Sequence, residues 1–207
     1  MKAKGLFITF EGTEGSGKST QIKRAADYLR RKGYRVLVLR EPGGTRVSEA
    51  IRKIILNKNF LEMRAETELL LYVAARTQIV REKILPALKK GMIVICDRFE
   101  DSTMAYQGYG RRIPMSAIHF VSRSFVRGSL QPDLTFLLDV DMREGLRRSG
   151  RDDRMEREPL SFHEKVRRGF LTLARKNPKR FIVLGGRRSR EAVARTVREI
   201  LDKRVKG

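Results

Sequence analysis

Five short runs in this chain are apolar almost throughout and show no polar alternation: LFIT (6–9), RVLVL (35–39), MIVIC (92–96), LTFLLD (134–139) and RFIVL (180–184). A strand facing water on one side alternates. Strands rich in Val, Ile and Leu that do not alternate are buried on both faces, as in a parallel sheet covered by helices. Between these runs lie segments of 3.6-residue periodicity, at 18–32, 46–57, 66–90, 100–108, 114–128, 160–176 and 189–204. The βαβα order predicts an α/β three-layer sandwich, a five-stranded parallel sheet flanked by helices. Gly33 and Gly91 stand where helices close in a left-handed C-cap, and Pro86 predicts a kink or break in its helix. A length of 207 residues suits one domain over 1–207 with one sizeable core.

No apolar stretch approaches the ~18 residues of a membrane span. The opening MKAKGLFITFEG is too short in its apolar part for a signal peptide, since the run ends at Glu11, and it reads as a first strand. The one cysteine, Cys96, excludes an internal disulfide and fits a reducing, cytoplasmic setting. It reads as a small core residue, and His119 and His163, isolated and without metal-ligand spacing, receive no role. The charge is the outlying quantity: 46 Lys+Arg against 24 Asp+Glu, a formal +22. Such a field attracts nucleic acid, anionic lipid or nucleotides alike. Much of it is also explained by solvated helix faces, so charge does not choose the partner.

The choice begins at Gly12. GTEGSGKS (12–19), placed between a strand and a helix, fits G-x-x-x-x-G-K-[ST]. Glycines let successive backbone N–H groups turn inward on phosphate oxygens, and the helix N-terminus adds its positive end. This assigns Gly12, Thr13, Glu14, Gly15, Ser16, Gly17, Lys18, Ser19 and Thr20 to a triphosphate, with Lys18 on the β- and γ-phosphates and the Ser19 hydroxyl on Mg²⁺. Glu14 is anomalous, because a negative charge gains nothing in a plain ATP site.

The acceptor side is carried by REPGGTRVSEAIR (40–52), TELLLYVAARTQIVREKILPAL (67–88) and DRFEDSTMAYQGYGR (97–111). The first and third follow strands directly, and the ends of neighbouring parallel strands converge on a ligand crevice. Asp97 ends a strand where such a protein needs a carboxylate near Mg²⁺; a helix N-cap is the alternative. Arg98 offers a fork of donors to an acceptor phosphate. On a helix over 100–108, Phe99, Ser102, Thr103 and Tyr106 share a face of rings and hydroxyls that suits a nucleoside. Tyr72 and Arg76, four apart, form either a base-stacking ring with a base-bonding guanidinium or a core residue with a surface charge.

With FEGTEGSGK, EPGGT, TELLLYVAAR, DRFEDSTMAYQG and PDLTFLLD in this order, the chain resembles the thymidylate kinases of bacteria over nearly its whole length. The resemblance implies transfer of the ATP γ-phosphoryl group to dTMP, Mg²⁺ as cofactor, and a homodimer. It implies a Tyr72 ring stacked on thymine, Arg76 bonding the base, Thr103 and Gln107 near it, and Tyr106 under the sugar, disfavouring a 2′-hydroxyl. It gives the dTMP phosphate to Arg98 and Arg52, and adenine contacts to the region of GGRRS (185–189). It turns Glu14 towards the other substrate, on the sugar 3′-hydroxyl or in support of Mg²⁺. Tyr72 stands where the family usually has Phe, and Phe99 where it usually has Tyr.

The densest charge, REGLRRSGRDDRMERE (143–158), reads as an exposed, mobile segment. Family members without an arginine inside the P-loop supply one from such a lid, and here Gly15 holds that place. Arg147, Arg148, Arg151 and Arg154 are the candidates to close over the transferring phosphoryl group, Arg151 and Arg154 foremost. A solvated basic stretch is the alternative. Two rival functions remain: a kinase of another pyrimidine nucleotide, and a basic P-loop ATPase that binds nucleic acid. The second finds no recognised module, and aromatics at 7% give few stacking platforms.

Overall fold

The computed structural model describes residues 5–126, 130–150, 153–185 and 188–205. Five parallel strands, β1 (Leu6–Glu11), β2 (Val36–Arg40), β3 (Ile93–Asp97), β4 (Leu134–Asp139) and β5 (Phe181–Gly185), form one sheet in the order β2-β3-β1-β4-β5. Each predicted apolar run is a strand, within a residue or two at its ends. β1 is central, with Phe10 level with Asp97 of β3 on one side and Phe136 of β4 on the other. Strand pleating sends alternate residues to opposite faces. Ile8 and Phe10 pack with Ile22, Ala26 and Leu29 of α1 (Lys18–Arg31) and Val197 and Leu201 of α9 (Arg190–Val205). Phe7, Val94 and Cys96 pack on the other face against Ile79, Val80 and Ile84. Thr9 and Thr135 are buried between the strands and bond to each other through their hydroxyls at 2.9 Å.

Helix α2 (Arg46–Leu56) is capped by Thr45, whose hydroxyl accepts from Ser48 N at 3.1 Å. The segment expected over 66–90 runs on without interruption as α3 (Ala65–Ile79), a π-helical turn Val80–Ile84 and α4 (Leu85–Lys89). Pro86 therefore neither ends nor splits it. Proline lacks an N–H and crowds the carbonyl four residues back, and a widened turn just before it absorbs both defects. The helix expected over 100–108 is likewise mixed: α5 (Glu100–Thr103), then a π-helical stretch Met104–Gly110. Helices α6 (Met115–Phe125) and α8 (Leu160–Lys176) match their periodicities. Gly33 and Gly91 take φ 86° and 68°, the left-handed conformation expected of them.

The segment 143–158 is a correction. It begins as a helix, α7 (Met142–Ser149), capped by Asp141, whose side chain accepts from Arg143 N and Glu144 N at 3.0 and 3.2 Å. Met142 and Leu146, four apart, bury one stripe of an otherwise charged helix, and beyond Gly150 both Arg154 and Met155 are buried. The backbone of α7 lies on the phosphate loop at two glycines. A Cβ on Gly145 would meet Glu14 O at 2.5 Å, and one on Gly15 would run into the Gly145 carbonyl. A side chain at position 15, arginine included, does not fit beneath α7.

Phe10 is fully buried, its ring 5.0 Å from that of Phe136. Phe10→Ala is expected to lower unfolding free energy by about 3–5 kcal/mol, through lost transfer and the cavity left behind. Urea denaturation measures it, and a loss no larger than that of an exposed Leu61→Ala control would contradict this account of the core.

Candidate active site

The carboxyl ends of β1, β2 and β3 and the N-terminus of α1 open onto a solvent-connected cleft of about 910 Å³. Into it project Glu14, Lys18 and Ser19 from the phosphate loop, Arg52 from α2, Tyr72 and Arg76 from α3, Asp97 and Arg98 from the end of β3, and Thr103, Tyr106 and Gln107 beyond. A second cleft, of about 1480 Å³, lies on the other side of the loop, against Gly15, Ser16, Gly17, Thr20, Arg148, Arg188 and Arg190. Gly15, Lys18 and Ser19 belong to both. Gly12 and Thr13 are buried beneath the loop. Their carbonyls accept the Lys18 ammonium at 3.1 and 2.9 Å. Burial, helped by nearby Arg98, pulls Lys18 down to about 8 against the opposing pull of Asp97, Glu14 and Glu11. The Ser19 hydroxyl and Asp97 Oδ2 are 3.4 Å apart at the junction.

The carboxylates have specific work. Glu11, fully buried at the end of β1, accepts Phe99 N at 2.8 Å and the Ser102 hydroxyl at 2.6 Å. Burial and then the Asp101 charge push its carboxyl well above the usual range. These bonds pin the turn after β3, where Arg98 takes φ 70°. Arg98 donates to Ser102 Oγ at 3.2 Å and Glu14 Oε1 at 3.1 Å, and lies over the Tyr106 ring at 5.1 Å. Tyr106 donates to the same Glu14 oxygen at 2.5 Å. Burial alone would raise the Glu14 carboxyl; His163, Arg98, Lys18 and Tyr106 outweigh it and hold it down to about 2. Glu14 is thus an anion that keeps Arg98 and Tyr106 in place.

Two more buried acids organise the far end. Arg76 donates from Nε to Glu41 Oε2 at 2.8 Å and from one terminal nitrogen to Thr103 Oγ1 at 2.9 Å. Its other terminal nitrogen, also buried, has no partner among the described residues. Glu68, also fully buried, accepts Gln107 Nε2 at 2.8 Å, two bonds from Arg111 at 3.2 and 3.0 Å, and Arg154 at 2.5 Å. Arg52 donates to Pro42 O at 2.9 Å.

The lid arginines are arranged otherwise than their sequence reading. Arg151 lies outside the described residues. Arg154 is buried, with Nε on Ile55 O at 3.0 Å and its end on Glu68. A buried carboxylate takes a cation in preference to leaving it over solvent, and this turns Arg154 away from the second cleft. Arg147 is largely exposed and paired with Glu144. Arg148, also touching Glu144, is the one lid arginine among the described residues that lines the second cleft.

Sequence reasoning passed over Glu41, Glu68, Arg111 and His163. Glu68 left a usable trace, for it stands four residues before Tyr72 and eight before Arg76, on one helical face. His163 left none: it is fully buried on α8, with Nδ1 3.5 Å from Glu14 Oε2.

Comparison with known proteins bears on these clefts. The family model described as Thymidylate kinase matches residues 10–197. A thymidylate kinase of Geobacter sulfurreducens is 50% identical, over 97% of this chain and 98% of its own. One of Bacillus licheniformis is 44% identical, over 98% of this chain and 97% of its own. The crystal structure of a thymidylate kinase from Ehrlichia chaffeensis superposes with a TM-score of 0.78 at 37% identity, covering 96% of this chain and 98% of that one.

The position of Lys18 generates a pH-dependent expectation. With its ammonium pulled down to about 8, the free protein carries it largely neutral at about pH 9, whereas a bound polyphosphate favours the cation. Binding of a nucleoside triphosphate is then expected to take up close to one proton at about pH 9 and almost none at about pH 6. Calorimetry in buffers of different ionisation enthalpy reads the uptake; heats independent of buffer at the higher pH would refute it.

Proposed function

This chain belongs to the thymidylate kinase family, and on that premise we propose that its two clefts serve one reaction, transfer of the γ-phosphoryl group of ATP to dTMP, giving dTDP and ADP. The observation that carries this reading is the meeting of the clefts at Lys18 and Ser19. A donor held on one side of the loop and an acceptor held on the other face each other across those two residues.

On the donor side the loop N–H groups and Lys18 take the phosphates. Ser19 Oγ and Asp97 Oδ2, two hard oxygens close together, suit Mg²⁺, which keeps several waters and takes its remaining ligands from phosphate. Held by Ser19 and Asp97, Mg²⁺ would supply charge neutralisation to the bound triphosphate. On the acceptor side Arg98, with Arg52 as second cation, holds the dTMP phosphate. Tyr72 offers a ring face to thymine, and the unpartnered Arg76 nitrogen a donor to a base carbonyl, with Thr103 and Gln107 beside it. Tyr106 lies under the sugar and Glu14 takes its 3′-hydroxyl. No general base is required, because a phosphate monoester with a second pKa near ~6 is already largely dianionic at neutral pH. The protein brings two polyanions into line against their repulsion and stabilises the charge that spreads in transfer.

Arg148 supplies that stabilisation from the lid, supported by its place on the donor cleft. The reading includes a homodimer, supported by the exposed Leu70 of α3 and Phe120 of α6, 53% and 72% accessible. It also includes a cytoplasmic setting, supported by a single, buried cysteine.

The test is turnover with ATP and Mg²⁺ across a panel of nucleoside monophosphates. dTMP is expected to be preferred, and Lys18→Ala to lower kcat by roughly 10²–10³-fold. Equal turnover of dTMP and UMP would overturn the substrate, and tight duplex binding without phosphoryl transfer would overturn the class. Arg148→Ala is expected to lower kcat by about 10³-fold while Arg147→Ala changes it little. Equal effects of the two would remove Arg148 from the role.

A further inference from the structure

His163 is fully buried and touches no substrate in the chemistry above. Neither of its ring nitrogens has a hydrogen-bond partner among the described residues, and the same holds for Glu14 Oε2, which Nδ1 faces at 3.5 Å. That separation is a little beyond a good hydrogen bond. Buried polar atoms are almost always satisfied. The two facing atoms, already close enough to lower the Glu14 carboxyl, stand a small movement short of a full bond, which another state of the site can make. The ring is set by packing, since Phe162 meets it edge-on at 5.5 Å and α8 anchors it through Phe162, Val166 and Phe170.

The other state follows from the partners of Glu14. Its Oε1 is held by Arg98 and Tyr106, and Arg98 is also the group offered to the acceptor phosphate. A dianionic phosphate competes for the guanidinium nitrogen now on Glu14, leaving a buried carboxylate short of a cationic donor. We propose that His163 is a positioning residue for Glu14: as the acceptor phosphate draws Arg98 away, Nδ1–H closes on Oε2 and holds the carboxylate so that Oε1 meets the sugar 3′-hydroxyl. The inference rests on the reading of Glu14 as the partner of that hydroxyl. It makes selection for a 3′-hydroxyl depend on a residue that touches no substrate.

Kinetics on dTMP and on 3′-deoxythymidine monophosphate test it. His163→Phe keeps a ring and removes the donor. It is expected to raise KM for dTMP about tenfold and to leave KM for the 3′-deoxy acceptor and for ATP unchanged. His163→Asn, with a donor near the place of Nδ1, is expected to recover most of the loss. An equal rise for both acceptors, a rise for ATP, or an Asn variant as impaired as Phe would overturn the role. If the Phe variant fails to fold, the wild-type protein decides. It has two histidines, so imidazole NMR reads His163 with His119 as reference. The Nδ1–H proton is expected to move downfield on adding dTMP in the wild type and not in Glu14→Ala; no movement, or the same movement in both, overturns the proposal. Glu14→Ala also separates the layers. If it discriminates the two acceptors as the wild type does, the reading of Glu14 itself falls. If it loses that discrimination while His163→Phe keeps it, only the role of His163 falls.

Discussion

One buried carboxylate ties the sheet to the site. Glu11 ends the central strand and accepts the backbone N–H of Phe99 and the hydroxyl of Ser102. Those two bonds fix where the chain goes after β3, and with it the left-handed turn at Arg98 and the direction of its guanidinium. Next to Glu11, Asp101 is gripped by Arg180 through two bonds of 2.7 Å, a bidentate pair that holds the following turn from the β5 side. The apolar sheet can be rigid because its inner strands β1, β3 and β4 are buried on both faces, and Glu11 hands that rigidity to the polar groups at its edge.

The same logic explains carboxylates at a site for polyanions. Three buried acids besides Glu11 are each matched to arginine: Glu14 to Arg98, Glu41 to Arg76, Glu68 to Arg111 and Arg154. Arginines crowded together without them would repel one another and point into solvent. Breaking such a pair leaves an uncompensated buried charge, so each acid holds its cation in one geometry until a ligand offers a better anion. Excess positive charge thus becomes a set of aimed donors.

Much of this was legible in the sequence because its signals are local. Lack of alternation marked five strands, although the edge strands β2 and β5 are only partly buried, and GTEGSGKS marked the loop between β1 and α1. Tyr72 and Arg76, or Ser102, Thr103 and Tyr106, lie close enough in sequence for helical spacing to set them on one cleft, whereas Gln107 was given by the resemblance alone. What escaped are pairings over long sequence distances: Glu11 to Phe99 spans 88 residues, and Glu14 to Tyr106 spans 92. No periodicity records such pairings. Helix α7 escaped for another reason, since two apolar residues and an Asp141 cap are weak marks within a dense charge run. The fate of Arg154 depended on finding Glu68 buried, which nothing in GRDDRME announces.

Arg98 shows where fold and function pull apart. At φ 70° glycine is at ease and a residue bearing a Cβ is not, the difference being on the order of 1 kcal/mol. The chain keeps the less comfortable residue because glycine carries no guanidinium. Glycine would relieve that cost and at the same time leave the buried Glu14 carboxylate without its cation, so the strained backbone is held in place by the ion pair it serves.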